Sequence, residues 1–123
     1  MSLNEDVQAV CEHNGRECQV SLSGRITIDS SPDLRLLLLE RLRVEGCKTL
    51  TVDLYDVAYV DTSGLAMLVE ILGAARRQGT TFQVSRLRDR PRYLLETTRL
   101  LRLFDEVNLE EPQGPDSRVG APQ

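Results

Sequence analysis

Tryptophan is absent from this 123-residue chain, histidine occurs once, and aromatic residues make up only 4% of it. No aromatic platform accompanies the arginines, and the formal net charge of −4 argues against a general binder of phosphate backbones, so nucleic acid is not an expected partner. No apolar run approaches the roughly 20 residues that a membrane span needs. The opening Met-Ser-Leu-Asn-Glu-Asp lacks the basic and apolar regions of a secretory signal. The chain is therefore expected in the cytoplasm, without direct membrane insertion. Cysteine is sparse: Cys11, Cys18 and Cys47 are odd in number and show no C-x-x-C spacing, and His13 has no clustered ligands around it. A structural zinc site is not expected, and nothing calls for a cofactor.

What is present suffices for one α/β domain, large enough to bury a core without metal or disulfide staples. The chain is organised around Val60-Asp61-Thr62-Ser63-Gly64-Leu65. A β-rich run, Thr49 to Asp53 and then Ala58 to Val60, ends there. The spacing then changes to that of an amphipathic helix through Leu65, Leu68, Leu72 and Ala75. Asp, Thr and Ser are N-cap residues. They set two hydroxyls beside the unpaired N–H groups of a helix start, where an added phosphate is expected to find donors. An ordinary capped helix start explains the same residues, and the surroundings must separate the two readings.

Residues 1 to 6 read as a loose leader. Val7 to His13 and Glu17 to Ser23 are strand candidates around Asn14-Gly15, a strong hairpin signal. Closing the hairpin on these two residues pairs Cys11 with Cys18, Ala9 with Val20 and Val7 with Leu22, all on one face. Two thiols packed in a core are the default there, with a disulfide the alternative. Gly24 is expected to end the hairpin, with Arg25 to Ser30 a connection. Ser30-Ser31-Pro32-Asp33 signals a helix from Pro32 to Arg43, with a capping serine. If Leu34, Leu38 and Leu42 face inward, Leu36 lies nearly opposite.

Lys48 to Leu54 reads as a central strand that bends through Tyr55 to Val60. A second helix should run from Thr62 to about Gln78 and stop at Gly79. Its outer face carries Ser63, Ala66, Glu70, Gly73 and Arg77, with small residues where charged chains are usual. Either another protein approaches the backbone there, or Ala66 and Gly73 pack under a neighbouring loop. Thr80 to Val84 is the next strand, and Pro91 opens a third helix to about Arg99 with Leu94 and Leu95 buried and Tyr93 beside them. The arginines at 86, 88, 90 and 92 read as a partly salt-bridged surface that an anionic partner could use. Val107 to Leu109 is expected as a short edge strand, and residues 110 to 123 as a disordered tail. The order β-β-α-β-α-β-α-(β) implies a mixed sheet of four to five strands with helices mainly on one face.

With these segments in place the chain resembles the STAS domain superfamily, and within it the bacterial anti-sigma-factor antagonists, over about Val7 to Leu109. The resemblance rests on Leu22-Ser23-Gly24-Arg25-Ile26 leading to a helix, on Val52-Asp53-Leu54, and on Val57-Ala58-Tyr59-Val60-Asp61-Thr62-Ser63-Gly64-Leu65-Ala66. It also uses Ala74-Ala75-Arg76-Arg77-Gln78-Gly79 and Leu94-Leu95-Glu96-Thr97 leading to Leu103-Phe104. It implies a switch protein, not an enzyme, that binds an anti-sigma factor which is also a serine/threonine kinase. The resemblance also implies that this kinase phosphorylates the hydroxyl residue directly after the motif aspartate and that a metal-dependent serine/threonine phosphatase reverses it. The implied acceptor is Thr62, with Ser63 the second candidate. The implied partner surface comprises Thr27, Asp29, Asp61, Thr62, Ser63, Gly64, Ala66, Met67, Glu70 and Gly73. The usual acceptor of that family is serine, and an acid often stands where this chain has Thr27, with Asp29 nearby. Asp-Thr-x-Gly-Leu-Ala is also similar to STAS subunits of lipid-transport ABC systems, where the domain supports an ATPase without phosphorylation. A hydrolase using Ser63 would need a base, and His13 lies on the distant hairpin.

Overall fold

The computed structural model describes residues 3–107. Strands β1 (Val7–Asn14), β2 (Glu17–Ile26), β3 (Thr49–Val60), β4 (Thr81–Ser85) and β5 (Asp105–Val107) form one sheet in the order β1-β2-β3-β4-β5. The first pair is antiparallel and the other three are parallel, so the sheet is mixed. Three helices connect it, α1 (Ser31–Leu42), α2 (Thr62–Gln78) and α3 (Asp89–Thr97), with a single helical turn at Leu101–Leu103 before β5. Of the expected last strand, 107 to 109, only Val107 falls within the described residues, as does none of the expected tail from 110 to 123.

The hairpin differs from expectation by its turn. Gly15 and Arg16 are the two turn residues and Asn14 pairs with Glu17, so Cys11 faces Val20 and Cys18 faces His13. Gly15 has φ 64° at the first central position, the place a type II′ turn gives to glycine. The register is thereby displaced by two residues. Because side chains alternate with period two, Val7, Ala9, Cys18, Val20 and Leu22 still face inward and are buried. The thiol next to Cys18 is Cys47, on the segment before β3, and burial with the neighbouring Cys18 pushes the Cys47 thiol up to about 12.

Gly24 does not end β2. The strand shifts register at Ser21/Ser23 and again at Gly24/Arg25, then continues to pair Ile26 with Val60. Gly24 has φ 107°, and any side chain there would run into the Asp6 carbonyl, which accepts a hydrogen bond from the Arg25 N–H at 2.9 Å. Residues 3 to 6, read as a loose leader, are stitched to this corner. Asn4 Oδ1 accepts from the N–H groups of Asp6 (2.7 Å) and Val7 (3.2 Å), and Asn4 Nδ2 donates to the Asp29 carbonyl at 3.1 Å.

The core lies between the sheet and helices α1 and α2. Leu34, Leu37, Leu38 and Leu42 meet Leu65, Leu68, Ile71, Leu72 and Ala75 over Val20, Leu50, Val52, Leu54 and Val84, all buried. At about 1.5–3 kcal/mol per fully buried aliphatic side chain, this cluster supplies most of the drive to fold. Leu36 turns away at 61% exposed, as the helical spacing requires. In α3, Pro91 and Leu95 are buried, whereas Tyr93 points to solvent at 65% exposure and does not pack beside them. On β3 the opposite parity is also closed. Asp53 is 3% exposed beneath Arg86, whose Nη2 approaches Asp53 Oδ2 to 2.5 Å.

Candidate functional site: the strand-to-helix corner at Asp61

Asp61 caps α2 from an extended backbone conformation, φ −100° and ψ −175°. Its Oδ1 accepts from the N–H of Ser63 (2.9 Å), the N–H of Gly64 (3.1 Å) and the hydroxyl of Ser63 (2.6 Å). Oδ2 accepts from the Ile28 N–H at 3.1 Å. One carboxylate therefore fastens the helix start to the loop after β2, and the Asp61 N–H, donating to the Ile26 carbonyl at 3.0 Å, ties the same two segments again. Burial acts to raise the Asp61 carboxyl pKa. The Ser63 hydroxyl and the Gly64, Ile28 and Ser63 N–H groups outweigh it and hold the group below the ordinary carboxylate range.

This arrangement separates the two hydroxyls. Ser63 is half-buried and its proton is given to Asp61. Thr62 is exposed, and among the described residues its hydroxyl has no hydrogen-bond partner. The expectation that helix N–H groups wait for a phosphate is corrected: those of Ser63 and Gly64 bond the Asp61 carboxylate, and that of Leu65 bonds the Asp61 carbonyl at 3.0 Å. A charge added at Thr62 would stand beside an ionised carboxylate, not inside a ready donor nest.

The other expected surface residues divide. Ala66 and Glu70 are exposed and Gly73 is half-buried, with only the guanidinium end of Arg77 near the place a side chain would occupy, so among the described residues no loop covers this face. Glu70 is paired with Arg35 of α1 (Nη2–Oε2 2.6 Å), which holds its carboxyl below the usual range. Asp29 is exposed, and Thr27 is half-buried with its hydroxyl accepting the Asp29 N–H at 3.1 Å. Met67 belongs to the core at 4% exposure, and Gly64 is buried. A Cβ on Gly64 would lie 2.6 Å from Ile26 Cγ2 and 3.1 Å from Val60 Cγ1. This glycine is present because α2 begins against the ends of β2 and β3. The expected serine cap of α1 is not made: Ser30 precedes the helix but gives its hydroxyl to the Arg25 carbonyl (2.8 Å) and accepts from the Thr27 N–H (2.9 Å). Ile28, 70% exposed, stands between Thr27 and Asp29 in the Gly24 to Ser31 loop already expected on the partner surface, whereas Arg35 was not foreseen. Both are joined to the site by contacts across 33 and 35 positions that no local pattern reveals.

The chain matches the family described as "Mlab, STAS domain" over residues 10–108. It belongs to the STAS domain family. It is 32% identical over 111 residues to an anti-sigma-B factor antagonist of Bacillus subtilis, a match that spans 90% of this chain and 88% of that protein. An anti-sigma factor antagonist from Mycobacterium paratuberculosis shares the STAS fold with a TM-score of 0.72 at 21% identity, over 90% of each chain. The Bacillus cell fate determinant SpoIIAA, in its phosphorylated form, superposes with a TM-score of 0.64 at 10% identity, over 82% of this chain and 92% of that one. Among the described residues no group of three or more potential ligands could hold a metal ion, and no helix is long and apolar enough to cross a membrane.

Proposed function

We propose that this STAS domain is an anti-sigma-factor antagonist, a non-enzymatic protein switch whose binding to an anti-sigma factor is governed by phosphorylation at Thr62. The observation that carries the reading is the contrast between the two hydroxyls: Thr62 is exposed and has no hydrogen-bond partner among the described residues, while the Ser63 hydroxyl donates to Asp61 at 2.6 Å. The likeness to an anti-sigma-B factor antagonist along most of both chains supports the pathway. A related fold is found in a phosphorylated form, which supports the chemistry.

Phosphorylation adds about −1.5 to −2 charge at neutral pH. At Thr62 that charge adjoins Asp61, whose carboxylate already occupies the Ser63 and Gly64 N–H groups of α2. The phosphate is therefore left for the partner to accommodate. Repulsion and desolvation at the contact then release the anti-sigma factor, which acts as the kinase, and a metal-dependent phosphatase restores the binding form. The recognised surface comprises Thr62, Ser63, Ala66, Glu70 and Gly73 of α2 with Thr27, Asp29 and Ile28 of the adjoining loop.

Thr62→Asp is expected to weaken partner binding by at least about 1.4 kcal/mol, tenfold in affinity, in a calorimetric titration. Equal binding by the wild type and this variant would remove the charge mechanism. Thr62→Ala should abolish phosphorylation by the cognate kinase while Ser63→Ala keeps it. A second reading, a STAS subunit supporting the ATPase of a lipid-transport ABC system, draws on Asp61-Thr62-Ser63-Gly64-Leu65-Ala66 and on the threonine at the acceptor position. Affinity capture from the native cells followed by mass spectrometry separates the two, by recovering either a kinase-type anti-sigma factor or an ABC ATPase.

A further inference from the structure

Two tyrosines of β3 each carry two arginines over the ring. Arg86 and Arg88 lie 4.7 Å and 4.3 Å from the centroid of Tyr55, and Arg25 and Arg90 lie 4.5 Å and 5.2 Å from that of Tyr59. The pairs differ in what else they do. Arg86 holds Asp53, while Arg88 holds Asp89 at 2.9 Å and donates to the Tyr55 carbonyl at 2.7 Å. Arg25, from β2, and Arg90, from α3, are both exposed, and among the described residues neither guanidinium has a hydrogen-bond or ion-pair partner.

Stacking occupies the face of a guanidinium and leaves its N–H edge available. Two such edges held near one ring offer donors to carboxylates, and an incoming anion offsets the like charge of the pair. The rest of the molecule heightens the contrast, since the chain carries a net charge of −4. Tyr59 is also three residues before Thr62, at most about 11 Å along extended chain. Tyr59 therefore lies within the span of an ordinary protein interface that includes Thr62.

We infer that Arg25 and Arg90, presented by Tyr59, form a docking point for an acidic segment of the protein partner. An open surface suits spaced carboxylates on a peptide, one to each of the two guanidinium edges. The inference rests on the proposed function only for the partner being a protein that covers Thr62. Its test uses the free domain, so it can fail while that reading stands.

The experiment follows the arginine Nε–H resonances during titration with an oligoglutamate peptide at constant ionic strength, with oligolysine, inorganic phosphate and sodium chloride as parallel arms. Oligoglutamate is expected to shift Arg25 and Arg90 while Arg35, already paired with Glu70, stays in place. The Arg25→Gln/Arg90→Gln double variant should bind the peptide about fivefold more weakly or worse. Equal shifts with sodium chloride would overturn the inference, as would undiminished binding by the folded double variant. A response to phosphate without one to oligoglutamate would also overturn it, replacing the acidic segment with a phosphate group. Because the wild-type arms alone decide whether the peptide is recognised, a variant that fails to fold does not remove the test.

Discussion

Asp61 gives the sharpest quantitative test of how the corner is held. Replacing it with alanine deprives the Ser63 and Gly64 N–H groups of their acceptor and cuts the link to the Ile28 N–H. Loss of an N-cap costs about 0.5–2 kcal/mol. The Ile28 N–H is exposed enough for water to replace the carboxylate, so it adds only about 0.5 kcal/mol. Asp61→Ala is thus expected to cost about 1–2.5 kcal/mol in urea denaturation at neutral pH, a fall in Tm of roughly 4–10 °C. Asp61→Asn retains an oxygen in place and should cost about half as much. The difference between wild type and the asparagine variant must depend on pH in one direction. The folded-state pKa of Asp61 is lowered, so its charge stabilises the fold fully above the unfolded value of about 4. That contribution is lost as pH falls through the folded value. The stability gap should therefore be widest near neutrality and close in acid. A gap that stays constant from neutral pH into the acid range, or that widens there, would refute the assignment of the charge to these hydrogen bonds. An Asp61→Ala protein as stable as wild type would refute the cap itself.

Three further outcomes follow from other contacts. Gly64→Ala forces a methyl group against Ile26 and Val60 and should destabilise by about 1–3 kcal/mol in the same denaturation assay. Arg86→Met leaves the Asp53 carboxylate buried without its counter-ion and should cost about 3–5 kcal/mol, whereas replacing both residues by apolar ones recovers much of that loss. In the native protein at pH 8, Cys11 should react with a thiol reagent well before Cys47, whose thiol is buried and held at about 12, and denaturant should equalise the rates.

The helix α2 was legible, with its start at Thr62 and its end near Gln78, because both of its ends carry local signals. Asp61 satisfies the first N–H groups, and Gly79 adopts φ 80° at the other end. The STAS fold and the mixed sheet were legible for similar reasons. The hairpin register was not, because alternation of buried and exposed residues is unchanged by a two-residue displacement, and only the turn distinguishes the two pairings. Gly24 was read as a strand end although it marks a crossing by the Asp6 carbonyl, a contact made by a different segment. Met67 shows the opposite failure. With Gly64 and Ile71 it follows the three-and-four spacing of the inward stripe, so its burial was in the pattern, but the neighbouring motif drew it to the surface. The pairs Asp61–Ile28, Asp53–Arg86 and Arg35–Glu70 join positions 33 to 35 apart, and nothing in either local stretch names its counterpart.

The stitching of Asn4 has a practical consequence at the opposite end of the chain from the helix. Its side chain grips the amide groups that lead into β1 and also the Asp29 carbonyl, one residue from Ile28, which in turn is held by Asp61. Shortening the protein to begin at Val7, or fusing a bulky tag directly before Asn4, would loosen the loop on which the partner is expected to rest. Affinity measurements on such trimmed or tagged versions would then report a weakened grip that originates far in sequence from the threonine being studied.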